Sequence, residues 1–296
     1  ESGLVPEYVL WDQRFSWSRF SDLDGDGVEE VLLLQGSGPE WIEEDPCPPV
    51  EEKGWLIWLT EAGSGVGISS AVPLPAGGVE LEVADLDGDG HQDILHCVYT
   101  QGEPSSVAWG PGWQQTDLDV GQCSDASVAD LDGDGQLDIV FAVASESPSK
   151  IIWGDGQRFA QGLATELDSA MASRVRTGDF DQDGLQDVLF GAGPLDGDWS
   201  QDVPTFWGDG DRFGTGASTA VEAHGCLHPE IADADSDGDV DLVCPNYAKT
   251  TSTGDDHLVD SYVYWASQNW RWEGDDYRRT LHSYGALYAL VRDLDE

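Results

Sequence analysis

The chain has 296 residues and carries 58 acidic against 13 basic side chains, for a net charge of −45. Apolar residues make up 40%, which is enough for a packed core and too many for a disordered acidic tail. Such a surface argues against nucleic acid and anionic lipid as partners, and no apolar run approaches the ~20 residues of a membrane span.

The first element along the chain is DLDGDGVEE at 22–30, where acids crowd together immediately before an apolar run. The pattern D-x-D-x-D-G-x-x-[DE] returns at 85–93, 130–138, 179–187 and 233–241, and a cut-off copy, DLDE, begins at Asp293. Between the copies lies a looser signature, a β-rich run ending in tryptophan: Trp58, Trp109, Trp153, Trp207 and Trp265. Trp11 in YVLW is an N-terminal echo of it. Each unit therefore reads as four short strands. One strand leads into the acidic motif, one leaves it, a third ends at the tryptophan, and a fourth follows the turn. Helical periodicity is absent over any useful length. Repeated four-stranded units of ~40–60 residues predict an all-β fold, a β-propeller. One domain over 1–296 is expected, with repeats near 15–78, 79–122, 123–170, 171–224 and 225–284. Residues 285–296 begin a further repeat, and 1–14 could close it to give six blades, with seven the alternative if the chain runs on. A start at Glu1 without methionine suggests a processed form.

Carboxylates at ~4 Å repel by about 1 kcal/mol per pair even in water, and Lys and Arg are scarce near these motifs in sequence. A hard cation resolves the repulsion, and calcium, taking 6–8 oxygens in irregular geometry, suits it better than magnesium. The first loop offers Asp22, Asp24, Asp26 and Glu30 with the Val28 carbonyl. The second offers Asp85, Asp87, Asp89 and Asp93 with the His91 carbonyl, and the third Asp130, Asp132, Asp134 and Asp138 with that of Gln136. The fourth offers Asp179, Asp181, Asp183 and Asp187 with the Leu185 carbonyl, and the fifth Asp233, Asp235, Asp237 and Asp241 with that of Asp239. About five calcium ions are expected. Position 12 is never acidic (Leu33, His96, Phe141, Phe190, Cys244) and the flanks are β-rich, so these are not EF-hands.

These motifs, the strand that follows each of them, and FGAGP at 190–194 resemble the FG-GAP, or VCBS, repeat of integrin α-subunit propellers and of many secreted bacterial proteins. The resemblance spans roughly 15–296. It implies calcium in each Asp loop, between the first two strands of a blade, in a secreted or cell-surface protein. Such ions would be structural. Function is then expected on the long second-to-third-strand connections 35–54, 191–204 and 245–260, which carry Trp41, Trp199, Tyr247 and His257. The expected role is a binding or adhesion module for a glycan or a protein. A secreted polysaccharide-active enzyme on the same scaffold, or a structural subunit of a surface assembly, is the alternative. No catalytic motif is recognisable. Among five cysteines, Cys226 and Cys244 are the expected disulfide, with Cys97 and Cys123 a second pair.

Overall fold

The computed structural model describes residues 15–23, 30–35, 54–62, 65–74, 78–100, 102–169, 171–214, 216–251, 254–266, 271–272 and 278–291. Every regular element among them is a strand. The chain divides into two compact units, Glu1–Cys123 and Ser124–Glu296.

The first unit holds two four-stranded sheets. One is formed by β1 (Phe15–Ser21), β2 (Glu30–Gln35), β3 (Gly54–Ala62) and β4 (Gly65–Leu74). The other is formed by β5 (Gly78–Ala84), β6 (Asp93–Val98), β7 (Ser105–Trp109) and β8 (Gln114–Leu118). In both, strands pair antiparallel in chain order. Leu23 and Leu32 pack with Leu81, Ile94 and Ala108 to make its core.

The second unit repeats the plan. Its first sheet is β9 (Cys123–Ala129), β10 (Asp138–Val143), β11 (Ser149–Ile152) and β12 (Ala164–Leu167). Its second is β13 (Ala172–Gly178), β14 (Asp187–Ala192), β15 (Val203–Phe206) and β16 (Ser218–Val221). The last uses β17 (Glu230–Ala232), β18 (Asp241–Cys244), β21 (Ser261–Tyr264) and β22 (Arg278–Leu281). A hairpin, β19 (Lys249–Thr251) with β20 (Gly254–Asp256), interrupts that sheet between β18 and β21. The sequence predicts a loop over this stretch, 245–260.

The second strand of each unit explains why the sequence shows unbroken apolar runs after the acids. All six residues of β6, β10 and β14 are buried. Side chains alternate across a strand, so both faces must be covered. In β14, Val188 and Phe190 join Val140, Ala142, Ile151 and Trp153 of the preceding sheet. Leu189 turns the other way and joins Leu242, Cys244 and Tyr264 of the following one. Successive sheets in the second unit thus pack face to face. The fourth strands β12 and β16 are far less covered, with only their last residues, Leu167 and Val221, buried.

One expectation is corrected here. Among the described residues the expected second pair, Cys97 and Cys123, is bonded, with Cα atoms 5.5 Å apart, whereas Cys226 and Cys244 are buried thiols. Cys226 stands directly opposite Asn246, two residues beyond Cys244, so the thiols are diagonal neighbours rather than directly facing partners. Trp109, Trp153, Trp207 and Trp265 hold one backbone place, each directly after the residue that pairs with Ile94, Ile139, Val188 or Leu242 of the second strand, but they are not equally buried. Trp109, Trp153 and Trp207 are buried and donate Nε1–H to Thr116, Thr165 and Thr219 at 2.8, 3.0 and 3.1 Å. Trp265 is only half-buried, and Trp272, 1% exposed, packs against Trp207 instead.

His96 occupies in β6 the motif position that Phe141 and Phe190 hold in β10 and β14. It is 1% exposed, and neither ring nitrogen has a hydrogen-bond partner. Burial pushes its pKa down from 6.5 to about 4. Below pH 6.5 the unfolded chain takes a proton that the native state refuses. Stability is therefore lost as pH falls from 6.5 towards 4, by up to about 3 kcal/mol. His96→Phe is expected to raise the urea midpoint at pH 7 and to flatten this acid limb. Equal slopes for both proteins between pH 7 and 4.5 would refute the assignment.

Candidate metal centres

The acidic motifs at 85–93, 130–138, 179–187 and 233–241 each form the turn between the first two strands of their sheet. In all four the first, third and ninth residues bring one carboxylate oxygen each within 4.8 Å of one another. The groups are Asp85, Asp87 and Asp93; Asp130, Asp132 and Asp138; Asp179, Asp181 and Asp187; and Asp233, Asp235 and Asp241. These are groups that could hold a metal ion. Of the first loop, Asp24, Asp26 and Val28 lie outside the described residues, as does Trp41. The fifth-position acids Asp89, Asp134, Asp183 and Asp237 each accept the N–H of the seventh residue, at 2.8–2.9 Å, in the exposed part of the turn.

A ladder of such bonds builds the loop. The first aspartate accepts the N–H of the glycine at position 6 through Oδ2, as Asp85 does from Gly90 and Asp130 from Gly135. Those glycines have φ of +86° to +98°, a conformation that side chains rarely adopt, in all four described loops. Position 4 is less demanding. Its φ of +58° to +74° lies near the left-handed helical region, and Gln182 and Ser236 replace glycine there.

The other oxygen of the first aspartate supplies the test of metal fit. Oδ1 of Asp85, Asp130 and Asp179 is buried and has no hydrogen-bond partner. A buried, unpaired carboxylate oxygen is costly unless a cation meets it. The donor set is all oxygen, as hard divalent cations prefer. These residues fit such an ion. The fifth loop is more open, and there Asp233 Oδ1 accepts the N–H of Asp237 at 3.1 Å.

The ninth residue has a second role that sequence reading missed. Asp138 accepts Leu131 N–H at 2.8 Å through Oδ2 and Gly154 N–H at 2.7 Å through Oδ1. Asp93 does the same with Leu86 and Gly110, Asp187 with Phe180 and Gly208, and Asp241 with Ala234 and Ala266. Glu30, despite its extra methylene, keeps the first of these bonds, from Leu23 at 2.7 Å. The carboxylate thus staples the acidic turn to the residue after the tryptophan, which is why the two signatures stay in phase. A Cβ at Gly154 would stand 2.4 Å from the Leu137 carbonyl oxygen, so the close approach requires glycine. Burial above all raises the pKa of Asp93, Asp138 and Asp187 to about 6, partly offset by these backbone bonds.

The scarcity of Lys and Arg along the sequence misleads in space. Arg212 Nε lies 2.7 Å from Asp132 Oδ2, and Arg271 Nη2 lies 2.6 Å from Asp181 Oδ2. Both arginines come from the repeat that follows the acid.

At the opposite ends of the second strands, Trp199 and Tyr247 approach to 5.1 Å between ring centroids, and His257 sits 4.6 Å from Tyr247. Thr250 accepts the Trp199 N–H at 2.9 Å and donates to Gly197 O at 3.0 Å, docking the β19–β20 hairpin on this loop. No helix among the described residues is long and apolar enough to cross a membrane.

Repeated acid-turned hairpins, each gathering carboxylates that could hold a cation, define a class of all-β repeat protein. The chain belongs to the FG-GAP-like repeat family, whose model matches residues 22–96, 130–190 and 179–244. A search of curated proteins finds no match. Among solved structures, the Vibrio cholerae biofilm matrix protein Bap1 is similar at 17% identity and a TM-score of 0.49, over 85% of this chain and 38% of that one. An Agrocybe aegerita lectin that recognises non-reducing terminal N-acetylglucosamine is similar at 16% identity and 0.45, over 91% and 67%. The Bacillus licheniformis rhamnogalacturonan lyase PL11 is similar at 15% identity and 0.45, over 77% and 46%. This chain spans less than half the length of the first and the third.

Proposed function

We propose that this chain is a calcium-stabilised β-propeller acting outside the cell as a binding or adhesion module for a glycan or protein. The observation that carries the reading is the buried, unpartnered oxygen that recurs at the first aspartate of three loops. Calcium is the ion whose irregular oxygen shell best suits the loop, with the fifth-position carboxylates and seventh-position carbonyls completing it. The remaining loop of the same pattern, Asp22 to Glu30, would hold one more ion. The Cys97–Cys123 disulfide supports an oxidising compartment. Six blades, closed by the chain's two ends, is the arrangement the repeat count favours.

The calcium loops are scaffold, and the ligand surface lies at the other ends of the strands. Trp199, Tyr247 and His257 offer aromatic faces among hydrogen-bonding groups, a chemistry suited to sugar or peptide contact. The test is a glycan array read with calcium and with chelator, on the wild type and on Trp199→Ala. Calcium-dependent binding that Trp199→Ala loses while its thermal melt stays unchanged is the expected result. Release of product from a polysaccharide would establish an enzyme instead. Binding that neither chelator nor Trp199→Ala alters would refute the proposal.

A further inference from the structure

We propose that Arg212 and Arg271 are positioning residues that couple the cation loops at 130–138 and 179–187 to the docking of the next repeat. The inference rests on the reading that the loops bind calcium.

Asp132 is shared between two repeats. Its Oδ1 accepts Asp134 N–H at 3.2 Å inside its own loop, while its Oδ2 pairs with Arg212 Nε at 2.7 Å. The same guanidinium stands 3.8 Å from Asp134 Oδ2 and lies over the Trp153 ring, 5.0 Å from its centroid. Arg271 repeats the arrangement one unit on. It pairs with Asp181 Oδ2 through Nε and Nη2 at 2.7 and 2.6 Å and lies 4.7 Å over Trp207. In both cases an aromatic residue follows the arginine and seals the contact. Phe213 stacks on Trp153 at 6.4 Å, and Trp272 lies 5.6 Å from Phe180 and 5.7 Å from Trp207.

The turn that delivers Arg212 is held in an uncommon shape. Arg212 and Phe213 have φ of +56° and +60°, and Arg158 and Phe159 in the preceding repeat have +61° and +58°. Two successive left-handed non-glycine residues are costly and persist only where the surroundings fix them. Asp209 Oδ1 fixes this turn by accepting the N–H groups of Asp211 and Phe213 at 2.8 and 3.0 Å. Neighbouring loops also touch directly, since Gln182 Nε2 donates to Gly238 O at 2.8 Å.

A cation that draws the third-position carboxylate into the loop therefore sets the surface on which the next repeat's arginine docks. Binding in one loop and order in the following turn are two ends of one equilibrium, and coupling between them is reciprocal.

Hydrogen exchange with calcium and with chelator tests this. In the wild type, calcium is expected to slow exchange about tenfold or more both in loop 130–138 and in turn 208–214. In Arg212→Met the loop should keep its response while that of the turn falls below about twofold. A purely structural role for Arg212 would loosen the turn equally with and without calcium. A wild-type loop that responds beside a turn that does not would overturn the coupling and leave the metal reading standing. A loop that does not respond would remove both. An equal calcium response of the turn in Arg212→Met would overturn the role of Arg212. Should that variant not fold, Arg271→Met read at loop 179–187 and at residues 271–272 gives the same discrimination.

Discussion

Chelation of divalent cations should lower the melting temperature by on the order of 10 °C. Each site in the four described groups contributes RT ln(1 + [L]/Kd), which is about 1.4 kcal/mol for a Kd of ~10⁻⁴ M at ~1 mM free calcium. Four such terms sum to roughly 6 kcal/mol, and a chain of this size shifts by about 2–4 °C per kcal/mol. The effect should depend on pH with a definite sign. Without metal, Asp93, Asp138 and Asp187 have their pKa raised to about 6 in the folded state, above the ordinary 3.8. As pH falls from about 6 towards 4, the metal-free native state takes up protons before the unfolded chain does and gains relative stability. The same protons compete with the ion. The gap between calcium and chelator melts should therefore narrow across this window. Identical melts with and without chelator at pH 7 would show that the loops are not cation sites.

Asp138→Ala should destabilise the protein by about 2–5 kcal/mol even in chelator, because it strips two buried N–H groups of their acceptor. Leu131 N–H and Gly154 N–H have no other use for their hydrogens in this packing, at 2.8 and 2.7 Å from the carboxylate. Asp134→Ala removes an acid that is 40% exposed and makes a turn bond at the surface. It should cost about 1 kcal/mol or less in chelator and show its effect only when calcium is present. Denaturant titrations of both variants, with calcium and with chelator, separate the two roles. If Asp138→Ala matches the wild type in chelator, the ninth residue is a ligand and no staple.

The acidic turns and the four-strand plan were legible because both recur at short range and in phase. The turn between the first two strands of a sheet closes over nine residues, and the strand after it announces its two-sided burial through runs such as DIVFAV. What escaped was mostly long-range. Arg212 meets Asp132 across 80 residues and Arg271 meets Asp181 across 90, so no local window could pair them. The Asp138 staple to Gly154 spans 16 residues, and its only local trace is the glycine after the tryptophan. Of the two expected cysteine pairs, Cys97–Cys123 is bonded and Cys226–Cys244 is not, because flanking one motif does not put two thiols in directly facing register. The β19–β20 hairpin escaped because its strands are only three residues each and mostly polar, with little alternation to read.

Strand β14 gives Val188 and Phe190 to one neighbour and Leu189 to the other. A single repeat accordingly has no inside of its own, only two greasy flanks. Cutting the chain between repeats should yield fragments that clump rather than fold, and inheritance can lengthen or shorten such an array only by whole units whose flanks match.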